Sequence, residues 1–122
     1  MLSLRPLDER VPIQQQLDAE ASPAILINVF TVAPEDVDGL LAAWEHDANW
    51  MKKQPGYIST QLHRGIAGSC VFLNYAIWES VEHFRAAFTH PEFRGALAAY
   101  PSSVVASPHL FEKVAVPNLC TN

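Results

Sequence analysis

Asn74-Tyr75-Ala76-Ile77-Trp78-Glu79-Ser80 is the stretch on which the reading of this 122-residue chain turns. It is an apolar strand carrying one amide and one indole, followed at helical spacing by Phe84 and Phe88. Residues i, i+2 and i+4 of a strand share a face, so Asn74, Ala76 and Trp78 look the same way. An Asn and a Trp flanking a small Ala fill a core badly. They line a slot for a flat, oxygenated aromatic ligand well, and the stretch therefore predicts a pocket.

Downstream, Ser80 suits a helix N-cap, with Glu82 in the first turn. That helix runs to Phe88, breaks near His90-Pro91 and resumes through Phe93, Leu97 and Tyr100. Upstream, Cys70 to Trp78 forms a hairpin with Tyr57 to Gly65 across an Ala67-Gly68-Ser69 turn. Strict alternation along Tyr57 to Gly65 sets Ile58, Thr60 and Leu62 opposite Tyr57, Ser59, Gln61 and His63. Before the hairpin, Val37, Leu40, Leu41, Trp44, Ala48 and Met51 form one helical stripe. Pro34, Glu35 and Asp36 suit its start, and Pro55-Gly56 stops it near Gln54. Ala24 to Val32 is a β-branched strand, and Val104 to Val116 is the last extended segment, interrupted by Pro108. Residues 1–23, punctuated by Pro6, Pro12 and Pro23, read as an N-terminal arm. One domain then spans 24–117, with a short tail over 118–122.

Strand, helix, strand, strand, helix, strand is the order of a ferredoxin-like split β-α-β domain, an α+β fold with helices on one face of an antiparallel sheet. Val71, Leu73, Tyr75 and Ile77 form one face of the strand before Trp78; Phe72, Asn74, Ala76 and Trp78 form the other. Both faces are apolar, whereas a sheet with one wet face alternates. Two helices cover one face only. A second copy of the sheet, packed about a two-fold axis, covers the other most simply, which predicts a homodimer closing a dimeric α+β barrel.

Composition narrows the function. Hydrophobic residues make up 49% and charged residues 17%, and the net charge is -5 with no basic run, which argues against nucleic acid and membrane surfaces as partners. The longest apolar run, near Ala24 to Val32, is strand-sized, and the start of the chain has no signal-peptide pattern, so the expected location is cytoplasmic. Cys70 and Cys120 lack metal spacing; a bridge between them or two idle thiols are both open. The five histidines are scattered, and no metal site is assigned. Phosphate-loop, nucleophile-elbow and paired-carboxylate motifs are absent.

Asn28-Val29-Phe30-Thr31-Val32 leading into Pro34, Gln54-Pro55-Gly56-Tyr57, and Asn74-Tyr75-Ala76 with Trp78-Glu79-Ser80 and Phe84 together resemble the antibiotic biosynthesis monooxygenase superfamily. The similarity covers about Ala24 to Val116. Trp-Glu-Ser before a helix marks the superfamily; the longer Asn-Tyr-Ala-x-Trp-Glu-Ser run resembles the cofactor-independent members that oxidise anthrones to quinones. That resemblance implies catalytic roles for Asn74, Trp78 and Arg94, a small aromatic substrate held also by Asn28, Phe84 and Phe88, and no cofactor. Phe84 stands where some members carry an aromatic hydroxyl. The haem-degrading subgroup matches at Asn28, but its Trp and proximal His positions fall on about Ala87 and Leu97.

The mechanism so implied needs a dry pocket and fixed donors for negative charge on the ring oxygens, which the Asn74 amide, the Trp78 indole and Arg94 supply. None of them is a base; His63 is the candidate by type. Blander readings compete. Trp78 suits a core aromatic, Asn74 a hairpin bridge and Arg94 a solvated helix position. The rival function is a non-catalytic dimeric barrel binding a small apolar ligand, with haem binding third.

Overall fold

The computed structural model describes all residues, 1–122. Its elements run β1 (Ser3–Leu4), α1 (Ile13–Gln16), β2 (Ala24–Thr31), α2 (Val37–Met51), β3 (Tyr57–Arg64), β4 (Val71–Trp78), α3 (Val81–Phe88), α4 (Pro91–Ala96) and β5 (Val105–Phe111). A 3-10 turn over Pro34–Asp36 leads into α2, and another over Leu97–Ala99 follows α4. The five strands make one sheet in the order β1-β5-β2-β4-β3, antiparallel except for β1, which lies parallel to β5. This is the ferredoxin-like α+β arrangement, extended by a short parallel edge strand.

Alternation decides which side chains meet the helices. Leu26, Asn28 and Phe30 of β2 share a face with Phe72, Asn74, Ala76 and Trp78 of β4, and all of them lie on the covered side. The core there falls into two clusters. One joins Leu26, Ala76 and Trp78 to Phe84, Ala87 and Phe88 of α3; Phe84 is fully buried. The other joins Phe30 and Phe72 to Leu40 and Ala43 of α2, Val104 and Tyr100. Between the clusters runs one row, where Asn28 is the direct cross-strand neighbour of Asn74. These are the only polar residues that β2 and β4 present to the helices.

Strict alternation fails in β3. A bulge between Tyr57 and Ser59 leaves Tyr57 opposite Trp78 and Thr60 opposite Ala76, so Tyr57 and Thr60 share the covered face. The extra residue, Ile58, is half exposed, as expected where two residues oppose one. Pro108 does not interrupt β5. Ser3 and Arg5 donate their N–H groups to the Val104 and Ala106 carbonyls, so even-numbered residues of β5 turn their backbone away from β2. The missing Pro108 N–H therefore lies on the outer edge beyond β1, where no ladder bond is lost.

The arm lies on its own chain. Ile13 and Leu17 are buried in the first cluster and Leu2 in the second. Gln16 completes the edge of β5: its Nε2 donates to the Leu110 carbonyl at 3.1 Å and its Oε1 accepts from the Leu110 N–H at 2.9 Å. One side-chain amide thus acts as a strand one peptide long. Residues 112–122 are exposed, tied by a single bridge between Val116 and Cys120, and both cysteines are free thiols. No helix is long and apolar enough to cross a membrane.

Gln16→Ala removes both bonds, each worth about 0.5–1.5 kcal/mol net. The expected outcome is a loss of about 1–3 kcal/mol in urea unfolding, with faster hydrogen exchange at Leu110. Wild-type protection at Leu110 would show that the arm is held by its buried side chains and the β1 ladder without Gln16.

Candidate functional site

The polar row between the two clusters opens into a cavity of about 70 Å³, closed by the sheet on one side and by α2, α3 and α4 on the other. Its walls are mainly aromatic: Trp78 and Tyr57 from the sheet, Trp44 from α2, Phe84 and Phe88 from α3, Phe93 from α4. A smaller hollow of about 40 Å³ lies beneath Leu2 and Leu4 of the arm and shares Asn28, Phe30, Phe88, Phe93 and Tyr100 with the first. Both are smaller than the roughly 150 Å³ cavity that accepts benzene. A benzene-sized ring needs more room than either hollow has in this conformation, and Phe88 and Phe93 are the helix-borne part of the wall they share.

Trp78 is 2% exposed and meets Tyr57 and Phe84 edge-on, at centroid distances of 5.6 and 5.8 Å. Those contacts fix the indole plane. Asn74 is fixed differently. The Thr60 hydroxyl donates to its Oδ1 at 2.5 Å, which leaves the amide N–H₂ as the free end. Asn28, its cross-strand neighbour, has a buried Oδ1 with no partner.

Of the residues singled out in the sequence, Asn28, Asn74, Trp78, Phe84 and Phe88 converge on this cavity. Arg94 stands behind the wall, its guanidinium 4.7 Å above the Phe88 ring. His63 is on the other side of the sheet. It pairs with Leu73, and its Nδ1 lies 3.3 Å from the Leu73 carbonyl. Thr60 and His63 keep the opposite faces that alternation gives them, and the imidazole is no base for this cavity. Leu97 borders the hollow under the arm, while Ala87 is buried in the first cluster.

Two polar lining residues from the helical side were given no site role in the sequence: Asp47, and Tyr100, which was read only as a helix position. Asp47 is 6% exposed, the third member of the buried row Leu40, Ala43, Asp47 on α2. Its Oδ2 has no hydrogen-bond partner; its Oδ1 lies 3.6 Å from Nδ1 of the exposed His46. Burial pushes the carboxyl above its ordinary range, against the opposing pull of Tyr100 and His46. The Tyr100 phenol is 4% exposed; burial, and then the neighbouring Asp47 charge, hold it protonated far above its usual range. The signal was present: an acid three residues after Trp44 and four before Met51 sits inside the apolar stripe. No group of three or more His, Cys, Asp or Glu side chains is placed to hold a metal ion.

The site therefore pairs neutral donors on the sheet with unpartnered acceptors on sheet and helix, inside an aromatic shell. Solved structures share this fold. SnoaB of Streptomyces nogalater, described as a cofactor-independent oxygenase, superposes with a TM-score of 0.67 at 23% identity over 80% of this chain and 99% of its own. A candidate monooxygenase of Shewanella loihica PV-4 does so with a TM-score of 0.67 at 32% identity, over 78% and 97%. PA3566 of Pseudomonas aeruginosa gives 0.63 at 17% identity, over 78% and 97%. No curated protein matches significantly. The profile of the antibiotic biosynthesis monooxygenase family matches residues 23–99, and the chain belongs to that family.

Proposed function

We propose that the chain is a cofactor-independent monooxygenase that oxidises an electron-rich polycyclic phenol or anthrone to a quinone with O₂. The observation that carries this reading is that two residues with neutral donors, Asn74 and Trp78, line one mainly aromatic cavity, with the Asn74 Oδ1 already held by Thr60. The oxygenase description of SnoaB supports it. Two free thiols also suit a reducing compartment, and we place the protein in the cytoplasm.

The chemistry belongs largely to the substrate. A deprotonated anthrone passes one electron to O₂, and the ring radical and superoxide combine as a peroxide. Protonation and loss of water then leave the new carbonyl, so that anthrone and O₂ become quinone and water. The protein excludes water and holds donors where charge gathers on the ring oxygens. Asn28 Oδ1 accepts from a substrate hydroxyl, and Phe84 and Phe88 hold the ring plane. Arg94 reaches a substrate oxygen once Phe88 moves. A non-catalytic barrel that binds a small apolar ligand is the second reading, favoured by the small volume of the cavity.

The working form is a homodimer. The uncovered sheet face bears Val71, Leu73, Tyr75 and Ile77, with Val71 42% and Tyr75 38% exposed. A second copy packed there buries the roughly 800 Å² per subunit of a standard interface. Sedimentation should give a dimer at micromolar concentration, and Leu73→Glu should give a folded monomer. A monomeric wild type would remove the barrel.

Flavin-free and metal-free protein should consume O₂ with anthrone and yield the quinone. Trp78→Phe keeps the ring bulk and deletes the donor, so kcat should fall by up to about 10²-fold, the lower range for loss of one oxyanion donor. Asn74→Ala should act in the same direction, and Arg94→Gln should raise KM. Folded Trp78→Phe and Asn74→Ala variants within about twofold of wild type would assign these side chains to packing. A wild type that binds anthrone but never turns it over would favour the binding protein.

A further inference from the structure

An anthrone reacts with O₂ only after it loses a proton, and neither Asn74 nor Trp78 can take one. His63, the base suggested by residue type, faces away from the cavity. Within the cavity, Asp47 is the only carboxylate and is more than nine-tenths buried; the Tyr100 hydroxyl and His46 stand beside it and pull against the effect of burial, but neither meets Oδ2 in hydrogen-bonding geometry. A carboxylate kept for folding would have both oxygens bonded, because an unmatched buried acceptor costs stability. One placed to meet a ligand leaves an oxygen free.

We propose that Asp47 is the general base of this site, taking a proton from a carbon-acid substrate through Oδ2. The proposal rests on the oxygenase reading for its substrate class. In the step, a methylene C–H of the anthrone breaks, its electron pair delocalises onto the ring and carbonyl oxygen, and the proton passes to Oδ2. Negative charge thus moves from Asp47 to the ring oxygen, toward the Asn74 and Trp78 donors, and the acid so formed reprotonates the peroxide after O₂ has added. The second oxygen, Oδ1, faces His46, whose side chain is 75% exposed, giving the proton a route to water. The groups facing Asp47 are His46 from its own helix and the Tyr100 phenol, which stays protonated and is no competing base. The sheet side of the cavity offers only Asn28, Asn74, Thr60 and the Tyr57 and Trp78 rings. A carboxyl raised above its ordinary range by burial is also a stronger base than a solvated one.

Proton removal can be measured apart from oxygenation. Without O₂, in deuterated buffer, wild-type protein should accelerate exchange of the anthrone methylene hydrogens over buffer alone. Asp47→Asn, which keeps the shape, should lose at least about 10²-fold of that acceleration, within the usual range for a general base, with anthrone affinity little changed. Exchange by folded Asp47→Asn at the wild-type rate overturns the proposal. A wild type that exchanges without consuming O₂ retains Asp47 as base and sinks the oxygenase reading; one that does neither overturns both.

Stability supplies a second readout that needs no substrate. Because the folded carboxyl is raised above 3.8, its contribution to stability is present at low pH and is lost as pH rises through the folded value. The Tm of Asp47→Asn relative to wild type should therefore climb with pH and favour the variant at pH 7. A wild type more stable than Asp47→Asn at pH 7 would show a carboxylate retained for folding, against the proposal. If Asp47→Asn does not fold, the wild-type exchange rate decides: it must rise with pH along a single carboxyl ionisation and level off, and a flat profile overturns the assignment.

Discussion

A row of amides across the middle of the covered sheet face is the constraint on which the rest of this structure depends. Asn28 and Asn74 are direct neighbours on β2 and β4, with apolar residues on either side of them along both strands. Helices packed over that row cannot close it as they close the rows above and below, because amides need partners that Leu, Phe and Ala do not provide. The core consequently forms as two clusters, one around Phe84 and one around Phe30 and Val104, with a cavity between them. Thr60 satisfies one amide oxygen of the pair and nothing satisfies the other. A fold of this size tolerates few such defects, and this one coincides with the cavity.

The opposite sheet face follows from the same alternation. Turning Asn74 and Trp78 toward the helices turns Val71, Leu73, Tyr75 and Ile77 outward, where no helix covers them. The arm does not serve that purpose. It runs along the free edge of β5, placing Ile13, Leu17 and Leu2 in the two clusters and Leu4 over the smaller hollow. It also contributes walls to the site, since that hollow and the main cavity share Asn28, Phe88 and Tyr100.

Much of this was legible in the chain, and the misreadings have physical causes. Alternation in Asn74 to Trp78 identified the inward face because β4 is regular and pairs on both sides. The Ser80 cap was legible because its chemistry is local: the hydroxyl accepts from the His83 N–H at 3.2 Å. Alternation misled at the start of β3, where the bulge at Ile58 brings Tyr57 onto the face of Thr60 and Leu62 while the residues after it keep the expected pattern. A bulge depends on the partner strand and leaves no period of its own. Pro108 read as a break because the side of the strand its nitrogen faces is a tertiary fact. Asp47 escaped notice because a stripe drawn through apolar residues passes over an acid within it. Leu41, counted in that stripe, is 37% exposed, so the buried face of α2 is rotated toward Leu40, Ala43 and Asp47.

The central claim is that the polar groups left without partners between the two clusters are kept for a ligand rather than for the fold. Side-chain amide and indole N–H resonances report on it directly, during titration with anthraquinone, the stable product of the proposed reaction. The account predicts saturable shifts of the Trp78 indole and the Asn74 amide, with the Gln61 amide on the opposite face unchanged. Saturable quinone binding that leaves both the Trp78 and Asn74 resonances in place would contradict it.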